Sequence, residues 1–205
     1  MDRCLCILKM LVFEIIGTVA FAISGAAVAI EKEMDILGIA IMGMTTAVGG
    51  GIIRDLILGI TPPTAFRNPL YALIAIGISL LMFIPSLRKN ANINSHPLLL
   101  MDAIGLGVFT VTGVRAGMTT SGGIFLSVFV GVLTGVGGGV LRDMFAGNKP
   151  AIFVKHFYAS ASILGALVCV LCWPLGESLS MILGAATVIV LRYLAVRYSW
   201  NLPKA

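Results

Sequence analysis

The sequence predicts an all-α membrane protein, with seven transmembrane helices arranged as two inverted three-helix repeats followed by a seventh helix. Three observations carry that prediction. Hydrophobic residues make up 59% of the 205 positions and charged residues 11%, with a mean hydropathy of +1.04; a soluble domain stays nearer half apolar. A spanning helix takes about 20 mostly apolar residues, and seven apolar segments can be marked off by polar or proline-rich breaks. Lastly, the chain repeats itself: Gly49-Gly50-Gly51-Ile52-Ile53-Arg54-Asp55 recurs as Gly137-Gly138-Gly139-Val140-Leu141-Arg142-Asp143, an offset of 88 residues.

The first segment covers residues 8–30 and ends at the charged stretch Glu31-Lys32-Glu33-Met34-Asp35, which predicts a water-facing loop. Arg3 and Lys9 precede an apolar run, and Ala20-Phe21-Ala22 has the small-residue form of a signal cleavage site. However, Ile16-Gly17, Phe21 and Gly25 recur as Ile104-Gly105, Phe109 and Gly113, again at offset 88. A removable leader has no reason to have a twin in mid-chain, so this segment is expected to stay as the first helix.

The second segment, residues 36–59, carries the first glycine triplet and stops at Thr61-Pro62-Pro63-Thr64, a helix breaker. The third covers 68–85, followed by a polar loop from Pro85-Ser86-Leu87-Arg88-Lys89-Asn90 to His96-Pro97. The fourth to sixth cover 98–116, 122–146 and 152–173. Trp173-Pro174-Leu175-Gly176-Glu177 reads as a turn before the last segment, 178–198. The expected organisation is one transmembrane domain, residues 1–205, with repeat one at 8–90, repeat two at 98–173 and the extra helix at 176–198.

Offset 88 also matches Gly43 with Gly131, Thr46 with Thr134, Gly59 with Gly147, Pro62 with Pro150, and acidic Glu14 with acidic Asp102. Beyond the prolines the register slips to 87, where Phe66 and Tyr71 match Phe153 and Tyr158. Three helices per repeat force the second copy to enter the membrane from the opposite side. A pseudo-two-fold axis in the membrane plane follows, as in many transport proteins whose binding or permeation site lies between the repeats.

Lys and Arg outside the repeated pairs set the orientation. The side of the N-terminus has Arg3, Lys9, Arg67 and Arg115; the other has Lys32, Arg88, Lys89, Lys149, Lys155, Arg192, Arg197 and Lys204. The excess predicts the N-terminus outside and the C-terminus in the cytoplasm. These cations are scattered among loops rather than gathered in a patch, so the net charge of +5 is no argument for nucleic acid.

Gly43, Ala47 and Gly51, like Gly131, Gly135 and Gly139, are spaced by four, which suits close helix packing. Consecutive glycines ask for more, since each weakens a helix by about 1 kcal/mol relative to alanine. The sharper reading is a kink or local unwinding at Gly49, Gly50, Gly51 and at Gly137, Gly138, Gly139. The freed carbonyls, with the hydroxyls of Thr45, Thr46 and Thr134, could then line a wet path. Arg54, Asp55, Arg142 and Asp143 lie within a turn of the triplets. Charges at membrane depth usually have partners. Adjacent residues point about 100° apart on a helix, so Glu14 and Asp102, reached across the repeats, are the expected mates. The sharp hypothesis for these six charges is gating or charge selection at the two mouths; the plain one is anchoring of helix ends.

Other features are weaker. Cys4, Cys6, Cys169 and Cys172 do not form a disulfide framework. His96 and His156 are too few for a metal site, and none is expected. Phe21 and Phe109 read as packing residues, with a gate as the alternative. The glycine runs lack the Lys-Ser/Thr of a phosphate loop. No Ser-His-Asp or H-E-x-x-H pattern appears, so an enzyme is not expected.

The doubled glycine triplet followed by Arg-Asp, within two inverted three-helix repeats and a seventh helix, resembles the prokaryotic trimeric intracellular cation (TRIC) channels. That domain family is also labelled UPF0126 and glycine transporter. The resemblance covers about residues 8–198. It implies a homotrimer in the inner membrane with one pore per subunit, formed mainly by kinked helices 2 and 5. It also implies passage of K⁺ and Na⁺ with no cofactor besides the permeant ions, and Gly49–Asp55 and Gly137–Asp143 at the pore. Animal relatives bind phosphoinositide through a Lys-Glu-Val motif where this chain has Gly51-Ile52-Ile53, so that lipid site is not carried over. The alternative is a secondary carrier for a small amino acid such as glycine. A sugar carrier of 3+1+3 helices fits less well, because the extra helix here comes last.

Overall fold

The computed structural model describes residues 2–84, 96–120, 123–154, 157–198 and 200; for 2–9 and 96 it describes the backbone alone. The loop at 85–95 with Arg88 and Lys89, and also Lys155, His156 and Lys204, lie outside the described residues, as do the side chains of Arg3, Cys4, Cys6, Lys9 and His96.

Nine α-helices occur among the described residues: α1 (Asp2–Glu31), α2 (Ile36–Ile57), α3 (Thr64–Arg67), α4 (Leu70–Leu81), α5 (His96–Thr119), α6 (Gly123–Phe145), α7 (Ala151–Val154), α8 (Ala159–Leu171) and α9 (Glu177–Arg197). Five carry stretches long and apolar enough to cross a membrane: Met10–Glu31, Ile36–Ile57, Pro97–Thr119, Gly123–Phe145 and Glu177–Arg197. The expected sixth span, 152–173, is divided into the four-residue α7 and the 13-residue α8; the expected third, 68–85, holds the 12-residue α4, with the four-residue α3 just before it. At 1.5 Å per residue the longer pieces extend only about 18–20 Å. In repeat one the break between α3 and α4 has a local cause. Asn68 precedes Pro69 and is extended at φ −127°, ψ 99°, as the residue before a proline tends to be.

The two repeats pack alike. α1 lies against α2 and α4, and α2 against α4; α5 lies against α6 and α8, and α6 against α8. The repeats join where α1 meets α5 and α2 meets α6. α9 breaks the symmetry by packing on α5 and α8. Glycines admit it: a side chain at Gly107 would meet the Ala185 carbonyl, and one at Gly165 would meet Val188 and the Gly184 carbonyl. The matching positions of repeat one hold Val19 and Ile78.

α2 and α6 run unbroken through both glycine triplets, which corrects the expectation of local unwinding. The glycines serve a close crossing. A Cβ on Gly50 would collide with the Thr134 carbonyl oxygen, and one on Gly138 with the Thr46 carbonyl oxygen. Two helix backbones touch here, and their carbonyls stay in the helical ladder. Helices in lipid gain by such packing because hydrocarbon supplies no hydrophobic drive between them.

Both helices end in the same turn. Ile60 N–H donates to the Asp55 carbonyl and Asn148 N–H to that of Asp143, each at 2.8 Å. The turns pass through Gly59 at φ 71° and Gly147 at φ 68°, a left-handed conformation that glycine adopts without steric cost. The chain then reverses into α3 or α7.

Candidate functional site

The Arg-Asp pairs sit where α2 and α6 end and the short helices begin. Each aspartate fastens that corner. Asp55 Oδ2 accepts from the Thr64 N–H at 2.6 Å, and Asp143 Oδ2 accepts from the Ala151 N–H at 2.7 Å. Oδ1 takes the neighbouring arginine: Arg54 Nε donates to Asp55 at 2.8 Å and Arg142 Nε to Asp143 at 2.9 Å. Adjacent residues were expected to be poor mates. The long arginine side chain instead folds back over the end of its own helix, where its cation also suits the helix dipole.

Around this shared clamp the two sites differ. In repeat one, Arg54 pairs with Asp55, and Glu14 accepts a short hydrogen bond from the Tyr71 hydroxyl. Both groups line a cavity of about 40 Å³ with Thr18, Gly51 and Phe109. In repeat two, Arg142 Nη1 donates to Asp102 at 2.6 Å and to Ser24 Oγ at 2.5 Å. Tyr158 reaches Asp102 at 3.4 Å. Arg192 of α9 adds a 3.6 Å ion pair to Asp102 and lies 4.6 Å above the Tyr158 ring. Its Nε is buried without a hydrogen-bond partner. The cavity beside this cluster is about 190 Å³ and is lined by Ser24, Leu98, Asp102, Arg142, Asp143 and Lys149, among others.

Arg142 therefore pairs with Asp102 of its own repeat and Arg54 with its neighbour Asp55, which corrects the expectation of mates reached across the repeats. The bond that crosses the repeats is to Ser24. Arg142, Arg192, Asp102 and Asp143 are all at least nine-tenths buried. The two clusters lie on opposite sides of the α2–α6 crossing, because these helices run antiparallel: Gly50 meets Thr134 where Gly138 meets Thr46.

The remaining candidates sit between the clusters. Thr46 and Thr134 are fully buried. Their hydroxyls donate back to the Met42 and Val130 carbonyls at 2.7 and 2.6 Å. Thr45 is half-buried. A Cβ on Gly49 would meet Leu141, one on Gly137 would meet Ile53 and Gly50, and one on Gly139 would meet the Tyr158 hydroxyl; Gly51 has room. Cys169 and Cys172 carry free thiols.

Sequence reasoning missed four participants. Tyr71 and Tyr158 were aligned in the repeat but not read as carboxylate partners. Arg192 was read as a topology signal; its placement inside an apolar helix five residues before Arg197 was the available clue. Ser24 carried no signal.

A family model described as glycine transporter matches residues 11–86 and 99–174, two copies again 88 residues apart. The UPF0126 membrane protein YvgT of Bacillus subtilis (strain 168) is 37% identical over 192 residues, 93% of each chain. The UPF0126 inner membrane protein YadS of Escherichia coli (strain K12) is 36% identical over 195 residues, again 93% of each. A solved TRIC cation channel superposes with a TM-score of 0.86 at 41% identity, covering 95% of this chain and 96% of that one. A TRIC trimeric intracellular cation channel orthologue from Rhodobacter sphaeroides gives 0.83 at 34% identity, over 93% and 98%. These relatives are membrane proteins and channels, not enzymes. With the family model covering most of the chain and such relatives matching nearly all of it, the chain belongs to the family of UPF0126 membrane proteins and TRIC cation channels.

Proposed function

We propose that the protein is a channel for monovalent cations, K⁺ and Na⁺. The observation that carries this reading is the likeness, over more than nine-tenths of both chains, to solved TRIC cation channels. The geometry accords with it, since charged cavities lie on opposite sides of the α2–α6 crossing in an apolar bundle. In this reading the protein is a homotrimer in the inner membrane. Each subunit has seven spans, α4 and α8 completing the count with their flanking segments. Each subunit holds its own path beside the crossing of α2 and α6. The N-terminus lies outside and the C-terminus in the cytoplasm. Thr45 lies beside the path, and the glycine triplets with Thr46 and Thr134 form its wall. Glu14 and Arg54 set the charge at one mouth; Asp102 and Arg142 set it at the other, with Asp55 and Asp143 holding the arginines. No cofactor is required besides the permeant ions.

The family description as a glycine transporter supports a second reading, a carrier for a small zwitterion held between the same repeats. Liposomes separate the two. A channel discharges a K⁺ gradient without saturating and ignores glycine. A carrier shows saturable uptake of labelled glycine and leaves the K⁺ gradient standing.

A further inference from the structure

On the channel reading, the question is what stands between the two cavities. They have no lining residue in common. One stripe of α1 serves both: Glu14 and Thr18 face the first cavity, and Ser24, Ala27 and Val28 the second. Phe21 falls between them. α5 runs the other way, with Asp102 at the second cavity and Phe109 at the first. From Thr18 to Ser24 the rise along α1 is about 9 Å.

That interval is filled by an aromatic pair. The rings of Phe21 and Phe109 lie 5.2 Å apart, tilted by 37°. Phe21 is 1% and Phe109 8% exposed, and Leu106 packs in the same cluster. Each ring is seated in a notch left by glycine. A Cβ at Gly105 would enter the Phe21 ring, and one at Gly138 would come within 3.1 Å of it; one at Gly17 would come within 3.3 Å of the Phe109 ring. The seating is reciprocal, because Gly17 matches Gly105 and Phe21 matches Phe109 at offset 88. The nearby hydroxyls of Thr46 and Thr134 are turned onto their own helices. The gap therefore presents hydrocarbon where an ion would have to leave its water, and burying an unpaired charge is costly. Apolar constrictions gate channels by excluding water.

We propose that Phe21 and Phe109 form the closed gate of the path, and that opening parts the two rings by movement of α1 against α5. Phe21 lines neither cavity and Phe109 only the first, and neither ring carries charge, so loss of the pair alters how often the path opens and leaves charge selection intact.

The test uses the full-length protein in planar bilayers, comparing wild type with Phe21→Ala, Phe109→Ala and Phe109→Asn. Open probability should rise by roughly two- to tenfold in the alanine variants, the weight of one aromatic pair in a two-state equilibrium. It should rise further for asparagine, which wets the gap, with reversal potential unchanged. A pair that merely packs would, when truncated, give less protein and less current, not more. Should the alanine variants elute poorly, Phe21→Leu and Phe109→Leu carry the test with a smaller rise. A silent wild type with conducting variants supports the gate. Wild-type current with unaltered open probability in every well-folded variant overturns the gate and leaves the channel standing. Silence from wild type and all variants overturns both.

Discussion

The two charged clusters began as the same sequence and fold to the same clamp, yet the structure uses them differently. At the first, one guanidinium is fastened to one aspartate, while Glu14 holds a tyrosine and lines a cavity with Arg54. At the second, one arginine has three acceptors, Asp143, Asp102 and Ser24, and a further arginine arrives from α9. Asp102 is one methylene shorter than Glu14 and meets the guanidinium rather than only the phenol. The first cluster carries two carboxylates against one arginine and the second two against two, before Lys149 is counted. Duplication supplied the corner of the fold twice. With Arg192 of α9 packed on it, one copy is a buried anchor, while the other keeps a single arginine-aspartate pair beside its cavity.

The largest effect should fall on the anchor. Asp102→Asn leaves two buried arginines short of a carboxylate, and breaking a buried pair costs about 3–5 kcal/mol. Glu14→Gln, at a half-buried site, should cost under about 1 kcal/mol. Thermal loss of the detergent-solubilised protein's elution peak measures both, and equal losses would break the comparison.

Next come Gly50→Ala and Gly138→Ala, which push a Cβ into a helix backbone. Each should cost about 1–3 kcal/mol. The two should match, because the crossing belongs to both repeats; a marked difference would place the crossing elsewhere.

Arg54→Gln should raise cation conductance severalfold at low salt, at a smaller stability cost than Arg142→Gln because Arg54 has a single acidic partner, and the gain should fade towards 1 M salt, where the Debye length is about 3 Å. Arg142→Gln should show chiefly as lost protein. Unchanged transport in both would remove the arginines from any role in permeation.

The smallest effect sharpens the contrast. Gly51→Ala has open space and should be neutral or stabilising by up to about 1 kcal/mol. Gly139→Ala would bring a Cβ to 2.6 Å from the Tyr158 hydroxyl and should destabilise. Melting temperatures of the pair decide it.

Much of this was legible in the chain. The 88-residue repeat marked the helix pairs, the corner from Arg54 to Pro62 with its twin from Arg142 to Pro150, and Glu14 and Asp102 as carboxylates in need of partners, but not which partners they take. The division of the expected sixth span is marked in the chain only by Lys155 and His156, two polar residues in an otherwise apolar run. The triplets were expected to kink or unwind because the low helix propensity of consecutive glycines outweighed close packing, the plainer reading. Tertiary contact between Gly50 and Gly138 overrides that propensity, and no single-helix argument contains that contact. Arg192 was hidden because α9 has no twin to set a register. The pairing of Arg54 with its own neighbour Asp55 needed side-chain reach, which helix geometry by angle alone leaves out.

On the channel reading, cations pass through this bundle. Purified protein in a planar bilayer under a KCl gradient tests it most directly. Discrete current steps reversing near the K⁺ equilibrium potential are expected. Steps reversing at the chloride potential would contradict that reading, and so would a bilayer without steps whose protein, taken from the same preparation, accumulates glycine in liposomes.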